Sequence, residues 1–161
     1  MSMRRRRPAA GEGTPFSHRN LPLLLLQARE AVLARFRPIL NAHGLTEQQW
    51  RIVRALLDAG PLEPRQIGQL CRISSPSLAG VLARMDELGL VGRERLPQDQ
   101  RRVMVSLTAR SRQLAKSMAP QIDAVYDQLE AHLGSRFVDS LYGQLDQLVG
   151  RLDEVPGDDL E

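Results

Sequence analysis

The chain has one cysteine, one tryptophan and an aromatic share of only 4%, and Lys116 is the single lysine among its 22 basic residues. A lone Cys71 excludes an intrachain disulfide, and nothing else points to an oxidising compartment, so a cytoplasmic setting is the default expectation. Long apolar runs are missing too. Leu23 to Leu26 falls far short of the roughly 20 residues that a membrane helix needs, and Arg29 and Glu30 follow within a turn. A leader pattern of Arg4 to Arg7 followed by leucines is interrupted by Pro15, Arg19 and Pro22, with no small-residue cleavage site after it. His18, His43 and His132 lack metal-ligand spacing, and no nucleophile motif surrounds Cys71. Neither an enzyme, a metal nor a cofactor is expected.

What is present suits one ordinary domain: 161 residues, 42% of them hydrophobic, are enough for a single core and too few for two. The net charge of +3 hides a polarity. Arg4 to Arg7 and further arginines load the first half, whereas Asp123, Asp127, Glu130, Asp139, Asp146, Asp153, Glu154, Asp158, Asp159 and Glu161 load the last third. A basic nucleic-acid face with an acidic far end would read this way; the base composition of a genome would produce the arginine bias equally well. Residues 1–17 combine Arg, Pro, Gly, Ser and Thr with little apolar content and are expected to be a disordered basic tail. Residues 154–161 form an acidic tail, leaving 18–153 as one domain.

Apolar spacing organises that domain into helices. Leu21, Leu25, Ala28, Val32, Phe36 and Ile39 mark one stripe of a long first helix capped by Asn20, kinked in its last turns by Pro38 and ended by Gly44. Thr46 and Gln49 form a capping box for a second helix with Trp50, Val53, Leu56 and Leu57. Pro64 opens a short third helix through Ile67, Leu70 and Cys71. Ser74 or Ser75 caps a fourth, with Pro76 at its start, Leu78, Val81, Leu82, Met85 and Leu88 on its buried face, and Gly89 as its stop. Thr108 caps a long fifth helix bearing Leu114, Met118, Ile122, Val125 and Leu129, which Pro120 should kink. After Gly134, Phe137, Leu141, Leu145, Leu148 and Leu152 approach the roughly 3.5-residue repeat of a helix that wants another helix.

Between the fourth and fifth helices lies the most informative stretch, residues 89–108: two alternating runs joined by a charged turn, which describes an arginine-tipped β-hairpin. A hairpin of this kind beside a solvent-facing helix is a winged helix-turn-helix, and its expected partner is double-stranded DNA. The fold class is therefore mainly α with a small β-hairpin wing. Ser75, Ser77 and Arg84 on the exposed face of the fourth helix would enter the major groove, Ala79 and Gly80 letting the backbone come close. Arg93, Arg95, Arg101 and Arg102 would serve the wing, with Arg101 or Arg102 in the minor groove or on phosphate. Asp99 would repel phosphate, so its carboxylate suits the shaping of the turn or the orienting of Arg101. Apolar stripes on the first, fifth and sixth helices exceed what a small lobe can cover. A homodimer through 18–43 and 108–153, carrying a DNA-binding lobe at 46–107, accounts for them, and its operator would be an inverted repeat.

The residues also resemble the MarR family of bacterial regulators over roughly 20–150. The wing carries Asp99-Gln100-Arg101, followed by Val105-Ser106-Leu107-Thr108 and preceded by Gly89-Leu90-Val91. Leu25 to Ala31, Phe36 to Ile39 and Leu45 to Arg54 are similar to the subgroup that controls homoprotocatechuate (3,4-dihydroxyphenylacetate) degradation. Ala79 and Gly80 stand where many relatives carry Thr and Arg, and Ala109-Arg110-Ser111 replaces the usual glutamate, lysine and glycine. The resemblance implies repression released by a small aromatic acid or its thioester, through altered spacing of the two DNA-binding lobes. Arg29, His43 and Trp50, with Gln27 and Arg37 in reserve, are the implied ligand residues. Two other readings stand beside this one: a winged helix used only for protein interaction, and a regulator sensing oxidants through Cys71.

Overall fold

The side chain of Asn20 accepts from the Leu23 N–H at 3.0 Å and so starts α1 (Leu21–Leu33) in the computed structural model, which describes residues 15–154. Residues 1–14 of the expected basic tail and 155–161 of the acidic one lie outside the described residues. The chain divides into two compact units, one up to Arg37 and the other from Pro38 onward.

Within the first unit, α1 buries none of its residues, and Leu21, Leu25 and Val32 all stay exposed. The single long helix expected here is not formed. Leu33 ends α1, a turn spans 34–36, and α2 (Arg37–Ala42) begins anew. Pro38 supplies the reason: it has no N–H to donate, and its ring crowds the carbonyl four residues back, whereas the first turn of a fresh helix accepts it without loss.

In the second unit, local capping sets the boundaries. Thr46 Oγ1 accepts from the Gln49 N–H and Gln49 Oε1 from the Thr46 N–H, giving the capping box of α3 (Glu47–Ala59). Pro64 occupies the first turn of α4 (Pro64–Cys71), and Ser74 precedes α5 (Ser75–Glu87). Thr108 Oγ1 accepts from the Ser111 N–H to begin α6 (Ala109–Leu133), which continues through Pro120; α7 (Ser135–Asp153) follows Gly134. Among the described residues no helix is long and apolar enough to cross a membrane.

The core collects Ile52, Val53 and Leu56 of α3, Ile67 and Cys71 of α4, and Leu78, Leu82 and Met85 of α5. Leu90, Val91, Val105 and Leu107 from the hairpin and Ala115, Met118 and Ile122 from α6 are also buried. Leu57 and Leu70, expected inside, are 38% and 60% exposed, and Trp50 is half-buried. Ile52, Val53 and Leu56 are the fully buried residues of α3. A close approach supports the helix-turn-helix bend: a methyl group on Gly68 of α4 would sit 3.2 Å from the Ile73 carbonyl oxygen.

Strands β1 (Val91–Leu96) and β2 (Asp99–Leu107) pair antiparallel. A further bridge, unforeseen in the sequence, joins Leu62 to Val105 through reciprocal backbone bonds of 3.1 and 2.8 Å. The wing is thereby fastened to the loop before α4.

Candidate nucleic-acid interface

Cap and turn residues place the exposed face of α5 beside the wing. With Leu78, Leu82 and Met85 turned inward, Ser75, Ser77, Ala79, Gly80 and Arg84 are left exposed. Ser77 Oγ lies 3.1 Å from Ser74 Oγ, and Arg84 Nη1 donates to Glu87 Oε2 at 3.0 Å one turn along the same face. At the far end, Arg110 Nη1 donates to the Leu88 carbonyl at 2.6 Å and Thr108 Oγ1 to that of Gly89 at 2.6 Å. These bonds satisfy carbonyls that the end of α5 leaves open. Arg110 thus has a structural task in a position where the resemblance showed only a departure.

The hairpin is not regular. Arg95 pairs with Val103 but the next residue, Leu96, pairs with Asp99, so Gln100, Arg101 and Arg102 form a bulge on β2. Bulges re-aim side chains, and this one carries two of the four wing arginines, Arg101 and Arg102. Asp99 Oδ1 accepts from the Arg101 backbone N–H at 3.0 Å, and Arg95 Nη1 donates to the Gln100 carbonyl at 2.5 Å. The aspartate therefore shapes the turn through the backbone.

Arg101 and Arg102 differ in surroundings. Arg102 Nε donates to Glu63 Oε1 at 2.5 Å, and this bond raises the guanidinium pKa above its ordinary value. Arg101 is exposed and has no ion pair among the described residues. Arg93 faces a groove of about 860 Å³ between α4 and α5, together with Arg65, Arg72, Ser74, Ser75 and Ala79. Arg65 and Arg72 were missed in the sequence because neither stands in a motif; only the fold brings them to the α5 face.

This apposition of an exposed polar helix face and an arginine-bearing, bulged wing invites comparison with known proteins. The MarR family model matches residues 43–102. The homoprotocatechuate degradative operon repressor of Escherichia coli is 39% identical over 145 residues, covering 88% of this chain and 98% of that one. The chain belongs to the MarR family. A crystal structure of the transcriptional regulator PA4135 superposes with a TM-score of 0.81 at 41% identity, covering 86% of this chain and 100% of the other. NadR in complex with 4-hydroxyphenylacetate gives 0.75 at 37% identity, covering 89% and 99%. This MarR-family chain is a ligand-responsive, DNA-binding transcription regulator with the winged helix-turn-helix of the dimeric MarR fold, and not an enzyme.

The five residues that the MarR resemblance nominated for a ligand fall in both units. In the first, Arg37 Nη2 and Arg29 Nη1 reach opposite oxygens of Glu30 at 2.5 and 2.9 Å. The hydrogen bond from Arg37, with the charge of both guanidiniums, holds the Glu30 carboxyl below its usual range. Gln27 is exposed on α1. In the second, His43 Nδ1 lies 2.9 Å from the Ile39 carbonyl oxygen, so that nitrogen carries the proton and caps α2. Trp50 is half-buried on α3. Cys71 is buried; Arg51 Nη1 donates to its carbonyl at 2.9 Å, and desolvation pushes its thiol pKa up.

Proposed function

We propose that this regulator represses transcription from an inverted-repeat operator, which it grips as a homodimer and releases on binding a small aromatic acid of the hydroxyphenylacetate type or its thioester. Ser75, Ser77 and Arg84 read or clamp the major groove, while Arg93, Arg95, Arg101 and Arg102, with Asp99 shaping the tip, hold the flanking backbone or minor groove. The observation that carries the DNA reading is the β2 bulge, which leaves Arg101 exposed near the wing tip with no carboxylate partner among the described residues. The domain plan follows: 46–107 is the DNA-binding lobe, and 18–43 with 108–153 supplies the dimer helices. In support, α1 and α7 bury none of their residues, and Phe137, Leu141, Leu145 and Leu152 of α7 stay 38–63% exposed. Apolar patches of that extent mark interaction surfaces.

The effector class draws support from the NadR complex with 4-hydroxyphenylacetate and from the name of the E. coli relative. Arg29 and Arg37 already clasp a carboxylate, that of Glu30, and the same guanidiniums can take the carboxylate of an aromatic acid. His43, Gln27 and Trp50 are the further ligand residues of this reading, Trp50 doubling as its reporter. A titration of 4-hydroxyphenylacetate, followed by Trp50 fluorescence and by release of labelled operator, tests it. Saturable quenching with parallel release is expected, and Arg29→Ala with Arg37→Ala should abolish both. Unchanged fluorescence and DNA binding across phenylacetates and their thioesters would contradict the effector assignment.

A further inference from the structure

Arg72 sits in the bend between α4 and α5 with a left-handed backbone, φ 53 and ψ 50. It is 67% exposed in its side chain, yet its Nη2 donates to both oxygens of Asp153, at 2.9 and 2.8 Å, from 81 residues away at the end of α7. Arg65 and Arg93 line the same groove as Arg72, and neither has a carboxylate partner among the described residues. Ser75 and Ala79 belong both to that groove and to the exposed face of α5. The groove is therefore a three-arginine extension of the DNA-facing surface, and its rim arginine already holds an oxyanion.

We propose that Arg72 is a phosphate-contact residue of the DNA interface, and that Asp153 occupies it in the DNA-free protein as an intramolecular carboxylate which a backbone phosphate displaces. This rests on the DNA-binding reading above. Asp153 is a weak occupant: one guanidinium nitrogen serves both its oxygens, whereas a phosphate can engage two nitrogens in the planar fork that arginine offers. The exposure of both side chains adds to that weakness, because water and salt screen the pair. Nor does α7 depend on this contact for burial, since none of its residues is buried. Asp153 also opens the most acidic stretch of the sequence, in which Glu154, Asp158, Asp159 and Glu161 follow and no basic residue occurs after Arg151. The end of α7 thus acts as a built-in competitor that lowers affinity for arbitrary DNA.

The test is fluorescence anisotropy of the full chain on a labelled random duplex at low salt. Asp153→Asn should bind about two- to fivefold more tightly, the range that release of an exposed pair allows, and tighter than Glu154→Gln, which changes the charge equally but not the pair. Arg72→Ala should weaken binding roughly tenfold, as loss of a charged hydrogen bond does, and Asp153→Asn should then have no effect on that background. The inference is overturned if Asp153→Asn merely matches Glu154→Gln, if it binds more weakly than the parent, or if Arg72→Ala leaves affinity unchanged. Failure of the folded parent chain to bind duplex at all would instead remove the DNA-binding reading itself.

Discussion

Arg102 and Glu63, 39 residues apart, meet at 2.5 Å and join the bulged strand of the wing to the residue that caps α4. Together with the Leu62 to Val105 bridge, this contact sets the height of the wing above the helix-turn-helix. It also distinguishes the two neighbouring arginines: Arg102 is a fastener, and Arg101 has no ion pair among the described residues.

Replacement of each arginine should therefore have a different signature. Arg101→Ala is expected to lower affinity for duplex roughly tenfold, the cost of a charged hydrogen bond, with an unchanged melting temperature. Arg102→Ala should lower the melting temperature slightly and weaken DNA binding through loss of wing position. Paired anisotropy and thermal-melt measurements on both variants decide; identical behaviour of the two would refute the division.

The glycines of the helix-turn-helix make a second contrast. Gly80 has open space around it, so Gly80→Ala in α5 should raise stability by about 0.5–1 kcal/mol through helix propensity. The same methyl, on the exposed α5 face proposed to meet DNA, should weaken binding. Gly68→Ala meets the Ile73 carbonyl at 3.2 Å and Leu78 Cδ2 at 3.4 Å, so its propensity gain should be cancelled or reversed. Denaturant melts of the two variants give the comparison, and a stabilised Gly68→Ala would show that the bend is looser than described.

Acid should release the Glu30 clasp. Its carboxyl pKa is lowered in the folded chain, chiefly by the Arg37 hydrogen bond, from an ordinary value of 4.5. Its stabilisation is then fully present above pH 4.5 and lost as pH falls through the depressed folded value. The melting-temperature difference between the parent and Glu30→Gln should be positive at neutral pH and vanish in acid. A difference independent of pH would dissociate the pair from stability.

Burial lifts the Cys71 thiol above its ordinary 9.0, leaving less than about 1% thiolate at pH 7. Native protein should react slowly with a thiol reagent and rapidly once unfolded, and peroxide should leave DNA affinity unchanged. Peroxide sensitivity abolished by Cys71→Ser would favour the oxidant-sensing alternative instead.

Features governed by neighbours in sequence were legible in advance. The capping pairs Thr46 with Gln49 and Thr108 with Ser111, and the first-turn prolines, are written within three or four residues, so helix starts could be placed. The break at 34–36 was obscured because the apolar spacing runs straight through it, and only the constraint that Pro38 places on the turn before it resolves it. The bulge at 100–102 depends on strand register, which an alternating pattern does not specify at a charged tip. Contacts such as Arg102 to Glu63 and Arg72 to Asp153 are products of tertiary packing. The exposed Leu57 and Leu70 likewise sit at core spacing, but no element among the described residues buries them.

The central claim, two protomers holding one duplex through paired helices and wings, is tested most directly by sedimentation velocity of the full chain with a labelled inverted-repeat duplex selected from a random pool. A dimer in the absence of DNA and two protomers per duplex are expected, both lost when Leu141 and Leu145 of α7 are changed to glutamate. A single protomer bound with full affinity to the duplex would contradict it.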